Sequence, residues 1–263
     1  MLPSSSSSAS PRQQWVEASD GAGHFFAQAQ PVARDERGQL VVADSAAIER
    51  WAVGSTKRDT VAFVLDFFGG SSVVGGSVIG PGGPVNPFPS SVQWAVAQGG
   101  RVAIVYPDPY HVVFVEPNGA RREGPVIAVD PIRVSEEHKA RWLADWNRPQ
   151  LVWFARWGES ASQVVMKPPP PPEHDWPDHL PPFLRDALRF GPGGLLWVQR
   201  TTPAEDPPTF DVIGESGSVL ARVQLAKGAR LVGFGRESVY LVRRDEMDLE
   251  YLERYTLAEI EAR

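Results

Sequence analysis

The sequence predicts an all-β fold assembled from repeated four-stranded units. Proline and glycine contribute 25 and 24 of the 263 residues, which is well above average usage and argues against a mainly helical protein. Short apolar runs alternate with turn signals along most of the chain, a pattern typical of many short strands. Two similar units begin near Leu195 and Ser238, and their spacing matches the roughly 40–50 residues of a propeller blade. The expected architecture is therefore β-propeller-like, with four to five recognisable four-stranded blades.

The N-terminal part of the chain divides into a tail and a first repeat. The low-complexity stretch 1–20 is rich in Ser and Gln and is expected to be a flexible tail, followed by one domain over 21–263. Within that domain, the first unit is expected to contain three strands separated by two turns. These strands are placed at 35–44, 47–53 and 59–65.

The later units carry clearer signals. In the second unit, Asn118-Gly119 lies between alternating apolar runs, which is the strongest short-range indication of a β-hairpin. The third unit, at 190–225, repeats the second almost strand for strand, and the fourth follows at 231–257. Tryptophans within strand-like runs, such as Trp197, are expected to pack between neighbouring sheets.

Two insertions interrupt the repeats. The first, 69–89, holds three Gly-Gly pairs and is expected to form a mobile loop on one rim. The second, 130–183, contains the one convincing helix, at about 135–146, which follows a serine N-cap and has two acidic residues in its first turn. Two tryptophans four residues apart on this helix share a face, so the helix is expected to pack on something apolar.

Composition and charge narrow the classes of function. The 26 basic and 32 acidic residues give a formal charge of -6, which provides no basic field for phosphates, so nucleic acid is not an expected partner. The absence of cysteine excludes disulfides, thiolate nucleophiles and cysteine-ligated metals. The sequence as written has no signal peptide and no apolar run of about 20 residues, which predicts a cytoplasmic protein without a membrane span.

Several segments carry a family resemblance: the string 100–119, the Gly-Pro-Val-Ile segment 124–127, the helix start at 134–139 and the C-terminal run 194–251. Through these segments the chain resembles bacterial six-bladed β-propeller proteins of the NHL/TolB-like kind, over roughly residues 25–257. The resemblance implies a β-propeller far more specifically than it implies an activity.

The resemblance also implies six blades, whereas four units are clear and a fifth has room around 151–167. This difference predicts an N-terminally shortened member or a ring that closes with fewer blades. Missing blades leave sheet edges exposed, so a homo-oligomer is expected if the ring is open. Proteins of this kind are often exported, which contrasts with the lack of a signal peptide here.

The second insertion supplies the candidate site residues. We predict a binding surface on the rim formed by His174, Asp175, Trp176 and Phe183. Inserted aromatic side chains either dock a partner or fasten the insertion to the domain, and the second role is the simpler interpretation.

A metal site and a hydrolase site are both weighed against simpler interpretations. The motif His-Asp-x-x-Asp-His at 174–179 has the donors for a divalent metal. A solvated loop is favoured, because nothing in this proline-interrupted stretch enforces a ligating geometry, and no metal ligand is predicted. His138 is expected on the exposed side of its helix. The nucleophile motif Gly-x-Ser-x-Gly is absent, and no catalytic residue is predicted.

The expected role is a non-enzymatic binding or interaction scaffold for a protein, peptide or glycan, without a cofactor. The main alternative is a calcium-dependent lactonase or esterase of the propeller type, which would need carboxylates from several blades to converge on a channel and hold calcium. The third alternative is a functionally idle, shortened member of the family.

Overall fold

The architecture was determined from a computed structural model of the chain. The residues that the structure describes are 16–29, 32–34, 40–42, 45–65, 72–74, 77–79, 86–147, 150–154, 162–166, 174–203, 206–245, 247 and 249–257.

Short antiparallel strands account for most of the regular structure. In the N-terminal half the strands are β1 (Ala18–Ser19), β2 (His24–Ala29), β3 (Val32–Arg34), β4 (Leu40–Val42), β5 (Ser45–Ala52), β6 (Asp59–Leu65), β7 (Ser72–Val74), β8 (Ser77–Ile79), β9 (Gln93–Val96), β10 (Val102–Pro107), β11 (Tyr110–Val115) and β12 (Arg121–Glu123). The C-terminal half has β13 (Ile132–Arg133), α1 (Glu136–Trp146), β14 (Gln150–Phe154), β15 (Ser162–Met166), β16 (His179–Leu180), β17 (Leu188–Phe190), β18 (Leu196–Gln199), β19 (Thr209–Ile213), β20 (Val219–Gln224), β21 (Ala229–Phe234), β22 (Ser238–Arg244) and β23 (Glu250–Thr256).

Four sheets follow one another along the chain, and we call them the first to fourth blades. Their strand orders are β1-β2-β5-β6, β9-β10-β11-β12, β17-β18-β19-β20 and β21-β22-β23. All pairings within them are antiparallel. The first three blades have four strands and the fourth blade has three in the described part of the chain. The predicted all-β fold of repeated four-stranded units is confirmed.

Consecutive blades pack face to face through three separate apolar cores. Between the first and second blades the core includes Phe26, Ala46, Ile48, Val64, Val102, Ile104 and Val115. Between the second and third blades it includes Tyr110, Val112, Phe114, Phe183, Leu196 and Ile213. Between the third and fourth blades it includes Trp197, Phe210, Val212, Leu231, Val239 and Leu241. Because the second blade has a neighbour on each face, its central strands are apolar on both faces instead of alternating.

The first strands of the first three blades lie next to one another. Strand β9 lies beside β1 on one side and beside β17 on the other. The side chain of Gln93 joins the second and third blades here, because its amide donates to the carbonyl of Leu184 and accepts a 3.2 Å bond from the backbone N–H of Ala187. Consecutive sheets that share apolar cores, with their first strands adjacent, are the propeller-like arrangement expected from the repeats.

The first blade differs in its composition from the predicted first unit. Its β5 and β6 match the second and third predicted strands, but Leu40–Val42 pairs with β3 and β7 in a separate four-stranded sheet, β3-β4-β7-β8. The blade is completed instead by β1 and β2. Strand β1 and the buried Asp20 lie within the stretch expected to be a flexible tail, so ordered structure begins before residue 20.

The segment between the second and third blades holds the predicted helix and two small sheets. Strand β13 pairs with β16, so Ile132 lies opposite Leu180. The region with room for a fifth blade forms the hairpin β14–β15, a two-stranded sheet in the described residues. The first insertion, 69–89, lies largely outside the described residues, apart from β7, β8 and its last residues. Within the ranges given above, no helical stretch combines the length and the apolar character that crossing a bilayer requires.

Candidate functional site

Helix α1 begins with a reciprocal cap that fixes one histidine. The hydroxyl of Ser135 accepts a 3.3 Å bond from the backbone N–H of His138, and the backbone N–H of Ser135 donates to His138 Nδ1 at 3.1 Å. This is the capping-box arrangement, with histidine in the place usually taken by Glu or Gln. Because Nδ1 accepts this bond, the hydrogen-bond pattern assigns the ring proton of the neutral imidazole to Nε2.

Helix α1 carries intrahelical ion pairs as well as two stacked tryptophans. Lys139 lies 2.7 Å from Glu136, and Arg141 lies 3.8 Å from Glu137. No residue of the helix is fully buried, so packing must come from half-buried side chains. Trp142 and Trp146 stack with centroids 5.2 Å apart and an interplanar angle of 25°.

The segment that follows the proline run packs on Trp142. The rings of His174 and Trp176 lie 5.0 and 5.6 Å from the Trp142 ring, each in an edge-to-face arrangement. His174 and Trp176 also contact each other edge to face, at 5.1 Å. Edge-to-face contacts place positive ring edges against negative ring faces, which makes each pair favourable beyond its apolar area. The three rings therefore form a mutually supporting group.

Phe88, from the end of the first insertion, completes this group. Its ring lies 5.9 Å from that of Trp176, and Nζ of Lys139 lies 5.9 Å from the same tryptophan. We call the five rings the aromatic cluster: Phe88, Trp142, Trp146, His174 and Trp176. All five side chains are half-buried. The two insertions predicted from sequence thus meet at one place, which the sequence pattern did not indicate.

Two imidazole nitrogens of the second insertion have no hydrogen-bond partner within the described residues. These are Nε2 of His138 and Nδ1 of His174, and both atoms are shielded from solvent. A shielded polar atom without a partner costs about 1–3 kcal/mol, so such atoms call for an explanation. The structure therefore differs from the expectation that His138 points into solvent.

The four predicted surface residues have different positions. His174 and Trp176 belong to the aromatic cluster, and Asp175 is exposed between them. The predicted surface position of Phe183 is wrong, because its side chain is 1% exposed and packs on Tyr110 with ring centroids 5.5 Å apart in the core between the second and third blades. Strand β17 follows Phe183 closely, and the backbone of Leu184 and Ala187 between them bonds to the Gln93 side chain. These bonds hold the segment against the second blade, so the Phe183 ring lies in the core.

Sequence reasoning missed Phe88, Lys139 and His138 as members of the site. Phe88 stands between two prolines at the end of an insertion, and an aromatic residue in such an isolated position is a signal that could have been used. Lys139 and His138 gave no comparable signal, because their relation to Trp176 depends on how the helix docks.

The carboxylates of the described residues do not gather into a metal site. Within the described ranges, no three His, Asp or Glu side chains lie close enough together to hold a metal ion. Asp245 uses its carboxylate locally: it accepts bonds from the backbone N–H groups of Met247 and Leu249 and from the hydroxyl of Tyr251. Asp245 thus stabilises the hairpin turn between β22 and β23.

Comparison with known proteins gives only distant structural similarity. No family model matches the sequence, and no curated protein matches it. The chain is similar to the X-ray structure of a putative gluconolactonase, with 14% identity, a TM-score of 0.25, and coverage of 86% of this chain and 73% of that chain. It is also similar to a streptogramin B lyase, with 11% identity, a TM-score of 0.27, and coverage of 91% and 75%. These values are too low to assign an activity, and the fold assignment depends on the sheets themselves.

Proposed function

We propose that this chain is a non-enzymatic binding scaffold and that its aromatic cluster binds one face of a neutral glycan. The observation that carries the proposal is the group of half-buried tryptophan rings around His174, at the place where the two insertions meet. Binding sites for small polar ligands commonly pair aromatic surface with a few positioned polar groups. The resemblance to NHL/TolB-like propellers stays a prediction and is not needed for this function.

The chemistry of a sugar ring fits both the indole rings and the imidazole ring of the cluster. Its C–H face is apolar and stacks on an indole ring, while its hydroxyl groups lie at the rim and can both donate and accept. His174, whose ring packs against Trp142 and Trp176, is the polar side chain within the cluster that a sugar hydroxyl would meet.

The local charge favours a neutral ligand over a charged one. Helix α1 pairs its charges internally, Lys139 with Glu136 and Arg141 with Glu137. The exposed Asp175 lies next to the cluster and would repel an acidic ligand.

The proposal is tested with a glycan array followed by titration of the best soluble oligosaccharide, using intrinsic tryptophan fluorescence and calorimetry. We expect Trp176→Ala to abolish binding, and Trp146→Ala, at the edge of the cluster, to weaken it at least about tenfold, which corresponds to about 1.4 kcal/mol. His174→Phe should keep the ring contacts and lose affinity, because it removes the polar atom.

Trp51→Ala is the matched control. Trp51 is also half-buried, contacts Phe25 at 6.1 Å and lies under Arg58, but it belongs to the first blade. Its removal should leave glycan affinity unchanged. The proposal fails if no glycan binds, or if Trp51→Ala and Trp176→Ala reduce binding equally. Capture of a protein or peptide that is lost in Trp176→Ala would instead assign the cluster to that class of partner.

A further inference from the structure

We propose that two copies of this chain form a dimer by pairing their β23 strands antiparallel, with Leu252 of one copy opposite Leu252 of the other. The inference is independent of the proposed glycan site. It depends on the edge of the fourth blade, which has three described strands where the other blades have four.

The backbone of β23 presents open hydrogen-bonding groups along its outer edge. The hairpin closes with a bond from Asp245 N–H to the carbonyl of Leu249, and it ends with a bond from Leu257 N–H to the carbonyl of Glu237. In an antiparallel ladder, alternate residues bond to the same neighbour. The odd-numbered residues of β23 therefore bond to β22, and the N–H and C=O groups of Glu250, Leu252 and Arg254 point away from the blade.

The β23 edge carries three charged side chains, Glu250, Glu253 and Arg254, but it is neither short nor irregular, the other two common protections of a sheet edge. The edge strands β6, β20 and β21 each pair with a register shift, whereas β23 pairs with β22 without interruption over seven residues. Strand β23 contains neither Lys nor Pro. Among the described blade edges it is the longest one with a regular register.

The side chains of β23 favour a second copy of the same strand. Leu252 is 67% exposed and lies on the face of the blade that points away from the third blade, beside Val242. Opposite residues in an antiparallel pair share a face, so a two-fold axis must pass through one residue position. With that axis at Leu252, the two leucines meet and Glu250 lies opposite Arg254 of the other copy on both sides.

The register centred on Tyr251 would pair Glu250 with Leu252 instead of with Arg254, and the two registers on the other side of Leu252 place like charges opposite each other. An axis at Glu253 would place two glutamates opposite each other, and an axis at Arg254 would place two arginines opposite each other. Like charges directly opposite are destabilising. In the Leu252 register, Glu250 adds Arg254 of the second copy to its existing contact with Arg244 at 3.1 Å.

Sedimentation velocity and light scattering over a wide concentration range test the dimer in the full-length chain. We expect a concentration-dependent dimer for the wild type. Arg254→Glu places two glutamates opposite each other twice and should weaken the dimer on the order of tenfold or more. The double variant Glu250→Arg/Arg254→Glu restores opposite charges in the same register and should recover the dimer.

Leu252→Lys should give a monomer, and Leu220→Lys is its matched control. Leu220 is 64% exposed on β20, the outer strand of the four-stranded third blade, and its substitution should leave the dimer intact. Circular dichroism confirms that each variant is folded. A wild type that stays monomeric at every concentration overturns the proposal. A dimer that persists in Leu252→Lys, or that the double variant does not recover, overturns this strand and this register.

Discussion

The hydroxyl of Tyr110 in the second blade donates a 3.3 Å hydrogen bond to Oδ2 of Asp211 in the third blade. Asp211 is fully buried. Its Oδ1 accepts a 3.1 Å bond from Nε of Arg222 and lies 3.8 Å from Nη1 of Arg200. A buried carboxylate needs paired charge and hydrogen bonds to offset its loss of hydration. This network therefore links the two blades, and removing any one of its groups should lower the stability of the protein.

Replacing Asp211 should therefore lower stability more than replacing Tyr110. Asp211→Asn keeps the volume but removes the negative charge from beside both arginines, and we expect a loss of about 1.5–3 kcal/mol in the free energy of unfolding. Tyr110→Phe removes one neutral donor and should cost about 1 kcal/mol. Urea denaturation measures both. Asp206→Asn, at an exposed position nearby, should change stability by less than about 0.5 kcal/mol.

The Tyr110 hydroxyl should also make stability sensitive to alkaline pH. Burial, together with the nearby Asp211 carboxylate, raises the pKa of Tyr110 well above its ordinary value, while Arg200 and Arg222 act in the opposite direction. The stabilisation is therefore fully present below about pH 10, the ordinary tyrosine pKa, and is lost as pH rises above it. Ultraviolet titration should detect one tyrosine that ionises only on unfolding.

This late-ionising tyrosine should disappear in Tyr110→Phe. Tyr251→Phe, which removes a 47% exposed tyrosine, should retain it. If the late step persists in Tyr110→Phe, the buried hydroxyl is not its source.

A second carboxylate should make stability sensitive to acid. Burial raises the pKa of Asp20. The hydrogen bonds from the backbone N–H groups of His24 and Ala22, together with the His24 ring, lower it by more, so the pKa lies below its usual value. His24 Nδ1 lies 2.7 Å from Oδ2 of Asp20. The stabilisation from Asp20 is thus present above about pH 4, the ordinary Asp pKa, and is lost as pH falls through the lower folded value.

Asp20→Asn tests this dependence. The variant should be about 1 kcal/mol less stable than the wild type near neutral pH, and the difference should shrink as pH falls below about 4. Urea denaturation at a series of pH values measures the difference. Asp59→Asn, at an exposed position, should show no comparable convergence. A gap between Asp20→Asn and the wild type that is constant with pH would contradict the assignment.

Two glycines allow the second and third blades to touch through their backbones. A Cβ added to Gly124 would lie 2.6 Å from Cα of Gly217, and a Cβ on Gly217 would collide with Gly124 in turn. Gly217 also has φ of +80°. We expect Gly217→Ala to be less stable than the wild type by roughly 3 kcal/mol, from overpacking and left-handed strain together.

Gly119→Ala separates these two effects. Gly119 has φ of +85°, but a Cβ there would have no neighbour within 4 Å. Its substitution should show the strain alone, roughly 1–2 kcal/mol. Gly124→Ala, without a left-handed φ, should show the collision alone. Equal losses of stability in Gly119→Ala and Gly217→Ala would mean that the collision of the new Cβ with Gly124 costs nothing, which would contradict the close backbone contact between the blades.

Phe183 should behave as a core residue. Phe183→Ala removes a side chain that is 1% exposed and should cost about 3–5 kcal/mol through lost burial and the resulting cavity. Thermal and urea unfolding measure this loss. Trp176→Ala, in the half-buried aromatic cluster, should cost less. A stable Phe183→Ala protein would contradict the position of this ring between the blades.

Local signals in the sequence were sufficient to predict individual turns, caps and strands, but not which strands pair with one another. The Asn118-Gly119 turn and the serine cap of α1 act within a few residues, and both were predicted where the structure has them. Leu40–Val42 was also predicted as a strand, yet it joins a separate sheet, because the alternation of a strand does not specify which edge it pairs with.

The site was harder to predict for the same reason. Trp142 and Trp146 could be placed on one helical face from their spacing. Their contact with Trp176 depends on how the insertion folds back on itself, and the contact of Phe88 depends on a second insertion. The position of Phe183 was missed because an aromatic residue in a proline-rich stretch has no periodic pattern to show which way it points.

The pairing of β13 with β16 has a consequence for how this protein can change through evolution. The chain leaves the second blade and returns toward the third on adjacent strands, with Arg133 opposite His179. The 45 residues between them, 134–178, therefore start and finish at one point, as in insertions that domains tolerate well. This segment can be lengthened, shortened or exchanged for another without moving the blades. Phe88, which contacts Trp176 from outside this segment, is the side chain to which a replacement segment would have to adapt.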